Sequence, residues 1–125
     1  MSSYNVGDKG PGGGTVFYAE GGKYKECSGE LGSGNWSKAK DLAKNHNGGG
    51  FSDWMLPNKE ELNLMYQNLC LRGLGGFDTN GDSGIYWSSS EYESGYPWYQ
   101  NFSSGFQPNC MGKDSTWKVR AIRAF

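Results

Sequence analysis

Too few aliphatic side chains are present to build an ordinary hydrophobic interior. Among 125 residues there are eight Leu, two Ile and three Val, against six Phe, eight Tyr and five Trp. Scarce Leu, Ile, Val and Phe would indicate disorder in a highly charged chain. Here the formal charge is −1 and aromatic residues make up 15%, so both the self-repulsion and the lack of burial that disorder requires are missing. The core must therefore be made of rings. Trp and Tyr carry N–H and O–H groups inside with them, and such a core has to be threaded with hydrogen bonds. The length suits a single domain over residues 1–125, which at this size buries roughly two thirds of the surface exposed by its unfolded chain. The 21 glycines call for many turns and short elements.

Composition also removes some classes of partner. A pI near 5.8 and the lack of a Lys/Arg stripe argue against nucleic acid, which needs clustered cations to displace counterions. No apolar run approaches the roughly 18 residues of a membrane span. The opening MSSYNVGDKG lacks the apolar segment of a signal peptide, so no membrane insertion of this chain is expected. Cys27, Cys70 and Cys110 share no CxxC spacing. They read as three isolated small hydrophobes, with one disulfide and a leftover thiol as the alternative.

Along the chain, GPGGGTVFYAE predicts a glycine turn and then a strand over about Thr15 to Ala19, with KYKEC as its hairpin partner. NWSKAKDLAKNHNGGG predicts a helix capped by Asn35, with Trp36, Ala39 and Ala43 on one face and Gly48 to Gly50 as its stop. A second helix follows in LPNKEELNLMYQNLCLRG. Asn58 and Glu61 have capping-box spacing, Leu62, Met65, Tyr66 and Leu69 form a buried face, and Gly73 ends it. Short strands are expected near Ile85 to Ser89 and Pro97 to Phe102, and a last one in WKVRAIRAF. Strands early and late with helices between them give an α+β fold whose first and last strands pair.

Four stretches in order, VGDKGPGGGTVFY, FSDWMLPNKEELNLMY, YWSSSEY with WYQNFSSG, and VRAIRAF, resemble the bacterial domain family named for the C-terminal domain of a collagen-like surface adhesin. That resemblance spans nearly all of the chain. It implies a C-type lectin-like fold of the formylglycine-generating-enzyme type: a small twisted antiparallel sheet with two helices and a long loop-rich half. Some relatives are variable proteins diversified by retroelements near their C-terminus. In such a fold Trp54 and Trp87 sit inside with their indole N–H groups on backbone. Arg120 and Arg123 anchor loops through acids such as Asp53 or Glu91. An extracellular or bacterial cell-surface location rests on the same resemblance.

Between the fixed motifs, SGYPWYQNFSSGFQPNCMGKDSTWK has no clean period of 2 or 3.6. Its rings and Met (Tyr96, Trp98, Tyr99, Phe106, Met111, Trp117) offer apolar area at low rotamer entropy, and Gln100, Gln107, Asn109, Asp114 and Ser115 offer adaptable donors and acceptors. That is the composition of a binding surface. Residues 93–117 are accordingly read as a non-enzymatic ligand-recognition surface for a protein or glycan on another cell or host surface. A calcium-dependent lectin and a structural or trimerising domain are the alternatives, and a homo-oligomer stays open.

No cofactor, metal or catalytic residue is expected. QPN at 107–109 is similar to the calcium-binding triplet of sugar-binding lectins, but the WND that follows it there is absent. DTNGDSG (Asp78, Asn80, Asp82) begins like a calcium loop, yet Ser83 replaces the glycine and Ser89 the closing glutamate, which leaves an Asx-rich turn. GPGGG lacks the Lys and Ser/Thr of a phosphate loop. His46, the single histidine, falls at a helix end and suits a solvated cap. The cysteine spacing does not match the reactive pair of the formylglycine-generating relatives.

Overall fold

Residues 4–79, 84–93, 96–105, 107 and 116–125 are described by the computed structural model. Strands β1 (Thr15–Glu20) and β2 (Lys23–Cys27) form a hairpin. Its turn residues Gly21 and Gly22 both have positive φ, 60° and 79°, the backbone that a two-residue hairpin with right-handed strand twist requires. β3 (Gly32–Gly34) leads into α1 (Trp36–Lys44), and α2 (Lys59–Asn68) precedes β4 (Ile85–Glu93) and β5 (Tyr96–Asn101). The chain closes with β6 (Trp117–Val119) and β7 (Ile122–Ala124).

There are two sheets among the described residues, ordered β1-β2-β7 and β3-β6-β4-β5. The expected last strand is thus two strands, one for each sheet. The break is at Arg120 and Ala121, where Ser28 binds both sides of the Ala121 peptide: Ser28 N–H donates to Ala121 O at 2.8 Å and Ala121 N–H to Ser28 Oγ at 2.9 Å. β7 pairs with β2 and not with β1, which corrects the expected pairing while still bringing the chain ends together. Tyr4 lies edge-on to both Tyr24 and Phe125. Nor is the larger sheet wholly antiparallel, because β4 meets β6 in parallel at Tyr86 and Lys118.

Both helices follow their sequence signals. Asn35 Oδ1 accepts Lys38 N–H, and Trp36, Ala39 and Ala43 are buried. In α2 the capping box is complete, with Asn58 and Glu61 each accepting the other's backbone N–H at 2.7 and 2.9 Å. The helix stops at Asn68, and a 3-10 turn over Cys70–Arg72 runs on to Gly73, whose φ is 71°.

β4 runs between two ring-rich cores, because successive strand residues face opposite sides. Tyr86 joins Phe17, Leu62, Met65, Leu69, Phe102 and Ile122 under α2. Trp87 joins Trp36, Trp54, Tyr99 and Val119 under α1. The indole N–H groups are satisfied by backbone as expected: Trp87 donates to Gly34 O at 2.8 Å and Trp54 to Gly48 O at 3.1 Å. Trp36 does the same to Ser88 O at 2.8 Å.

Candidate functional surface

The aromatic surface is built on β5, an edge strand of the larger sheet. Tyr99 is in the core, as is Phe102 just beyond the strand, whereas Trp98 is half-buried with the Lys59 ammonium 4.1 Å from its ring centre. Ser88 Oγ donates to Trp98 O at 2.7 Å and fixes the strand behind that ring.

Gln100 is fully buried and stands behind the surface instead of on it. Its Nε2 donates to Asn63 Oδ1 at 2.9 Å and to Gly105 O at 3.1 Å, and its Oε1 accepts from Gln107 Nε2 at 3.1 Å. Gln107 Nε2 also donates to Lys59 O at 2.7 Å. Between them the chain turns at Asn101, whose Oδ1 accepts Ser103 N–H and Ser103 Oγ–H at 2.8 and 2.6 Å. The departure of the chain from β5 is therefore set by α2 and by one buried amide.

The return is set by Trp117. Half-buried at the start of β6, its ring lies 4.0 Å from that of Tyr99 and 4.6 Å from that of Trp87, centre to centre. Trp117 thus contributes more to the core than a surface ring would. Next to it Lys118 bridges Glu30 at 3.3 Å and Asp78 at 3.1 Å, and the hydrogen bond to Asp78 holds its ammonium pKa above the usual range. Phe106, Asn109, Cys110, Met111, Asp114 and Ser115, along with Asn80 and Asp82, lie outside the described residues. Tyr96 is described by its backbone alone.

Arg123 meets Asp53 at 2.9 Å, as expected, and also Glu26 at 2.9 Å. Arg120 departs from expectation. Its buried guanidinium anchors the loop after α2 through carbonyls, donating to Gly75 O at 2.7 Å and Gly76 O at 3.0 Å, and ties that loop to the end of β2 through Ser28 O at 3.3 Å, with its carbon 3.8 Å from the Phe77 ring centre. Burial pushes the nearby Cys27 thiol up to about 11 despite the guanidinium, and burial also raises Cys70. Both are free thiols. His46 packs edge-on against Trp54 at 4.7 Å and is not a freely solvated cap; burial lowers its pKa. No group of three or more His, Cys, Asp or Glu that could hold a metal occurs among the described residues. Among those residues, no helix is long and apolar enough to cross a membrane.

Lys59 and Asn63, one turn apart on α2, were not among the predicted surface residues. Their spacing carried the signal, since both fall off the Leu62, Met65, Leu69 face that points to the core.

The sequence profile of the Lcl C-terminal domain matches residues 18–123, from within β1 to within β7. The chain belongs to the Lcl C-terminal domain family. No curated protein matches the chain. In this Lcl C-terminal domain the matched stretch takes in both helices, most of both cores and residues 93–117. The glycine turn at residues 10–14 lies ahead of it.

Proposed function

We propose that this Lcl C-terminal domain is a non-enzymatic recognition module of the C-type lectin-like, variable-receptor or adhesin type. It grips a protein or glycan at a cell surface through the aromatic and polar side chains of residues 93–117. The observation that carries this reading is the anchoring of the chain at Gln107 and again at Trp117. Gln107 is tied to Gln100 and to the first residue of α2, and Trp117 is wedged against Trp87 and Tyr99. Anchors of this kind let a stretch change its side chains without disturbing the scaffold, which is what a recognition loop needs. PNCMGKDS, the sequence between those anchors, mixes polar, charged and apolar groups without the periodicity of a core element.

The test is wholesale replacement of residues 108–115 by Gly, Ser and Thr. The melting temperature should hold while binding to arrayed glycans and surface proteins disappears. Retained binding would place the site elsewhere, and a collapsed fold would make the stretch a structural one.

A further inference from the structure

Trp54, Met55 and Leu56 alternate in and out like a strand. The outer two are buried and Met55 is 55% exposed. The alternation is imposed by the backbone: Met55 N–H donates to Ile122 O at 2.9 Å and Met55 O accepts Ile122 N–H at 2.7 Å. With both its backbone groups engaged, this segment cannot turn the thioether inward. It forms the floor of a groove of about 400 Å³ between α1 and Ser89 of β4. Lys40 and Lys44, one turn apart on α1, make the rim.

The rim carries uncompensated charge. Neither lysine makes an ion pair with a carboxylate among the described residues. Lys40 holds its ammonium 3.9 Å from the Trp36 ring centre. Asp41, next to Lys40 and three residues before Lys44, lines a separate groove with Leu31 and His46 and forms no ion pair with either lysine among the described residues. An adaptable apolar floor under two cations selects for the converse arrangement in a partner.

We propose that this groove docks a protein segment that sets one apolar side chain on Met55 between acidic residues reaching Lys40 and Lys44. A sugar chain fits less well. Stacking on sugar faces needs a bare ring, and here the face of Trp36 is taken by Lys40, while the floor is aliphatic and thioether. Among the described residues the groove is lined by Lys40, Lys44, Trp54, Met55, Leu56 and Ser89, none of which belongs to the proposed recognition stretch.

A phage-displayed library of random short peptides, panned on the intact protein, tests the idea. Enriched clones should carry Leu, Met or Phe flanked by Asp or Glu. A synthetic copy of the leading clone should bind with a fluorescence anisotropy change, and K40E/K44E should weaken that binding on the order of tenfold or more. Both lysines are exposed, and the variant should keep the melting temperature of the parent. The variant with 108–115 replaced should bind the peptide unchanged. The proposal fails if no such clones enrich, if K40E/K44E enriches the same clones, or if a sulfated oligosaccharide displaces the peptide as well as the free peptide does.

Discussion

Glu26 on β2 and Arg123 on β7 sit opposite one another in register, with Glu26 Oε2 2.9 Å from Arg123 Nη1 and the two side chains 0% and 6% exposed. The carboxylate is further satisfied by the glycine turn, as Oε1 accepts Gly14 N–H at 2.8 Å and Oε2 accepts Gly12 N–H at 2.9 Å. A buried charge in this position is stable only because both carboxylate oxygens have donors. Removing one partner strands the other, which typically costs about 3–5 kcal/mol. Glu26→Gln should therefore lower stability by about that much in urea unfolding. A loss below about 1 kcal/mol, the size of an ordinary neutral hydrogen bond, would mean the carboxylate is not what holds the turn.

The same turn makes a sharp prediction about glycine. A Cβ on Gly14 would collide with the carbonyl oxygen of Cys27, a backbone atom that cannot swing aside, whereas one on Gly29 meets nothing within 4 Å. Gly14→Ala should cost about 1–3 kcal/mol or more through overpacking. Gly29→Ala should be neutral or stabilise by up to about 1 kcal/mol, by restricting the unfolded chain. Melting temperatures of the two variants, measured side by side, check the contrast. Similar values for both would refute the packing at Gly14.

Asp53 shares the guanidinium of Arg123, and the hydrogen bond from that group holds its carboxyl below the ordinary value of 3.8. The folded state thus releases this proton more readily than the unfolded chain. Its contribution is complete above the ordinary value and is lost as pH falls through the lowered one. With the Asp53 side chain 58% exposed, the effect is modest. Urea midpoints taken down the acid limb should fall less steeply for Asp53→Asn than for the parent, and parallel slopes would count against the linkage.

Local rules were legible in the residues and long-range ones were not. Asn35, Asn58 and Glu61 announced both helix starts because a cap is decided by three or four neighbours. Trp54 and Trp87 were placed inside by the family resemblance of the motifs around them. β3, by contrast, is Gly-Ser-Gly, with no strand propensity at all. It exists because β6 pairs with it and Gly34 O receives the Trp87 indole, a tertiary effect. The split between β6 and β7 was hidden for the same reason, since Ser28, which binds both sides of the Ala121 peptide, is 93 residues away. Within the candidate surface, Gln100 looked like a solvent-facing amide. Only the positions of Asn63 and Gln107 reveal it as an internal strut.

The capping box of α2 also reaches beyond its own helix. Glu61 accepts Asn58 N–H through Oε1 and the Lys25 ammonium through Oε2, both at 2.9 Å, and so links the helix start to the β1–β2 hairpin. Asn58→Ala removes one cap and should cost about 1 kcal/mol. Glu61→Ala also strands the lysine and should cost more, with Lys25→Ala recovering part of the difference in a double-mutant cycle. An additive cycle would show the Lys25 ion pair to be energetically idle.

Trp98 and Trp117 lie in the same ring-rich region but differ in what holds them, and that difference separates grip from scaffold. Trp117 touches Trp87 and Tyr99, so its removal opens a cavity in the α1 core. A buried Trp→Ala change costs about 3–5 kcal/mol, and the half-buried Trp117 should fall near the lower end. Trp98 is half-buried beside Lys59, and a cation–π attraction of this kind is worth about 0.5–1 kcal/mol. Trp117→Ala should therefore lose ligand binding in proportion to the drop in stability, and Trp117→Phe should rescue both. Trp98→Ala should keep a melting temperature close to the parent while changing binding outright. The reverse pattern, a stable Trp117→Ala that no longer binds and an unfolded Trp98→Ala, would move the recognition surface from β5 to the start of β6.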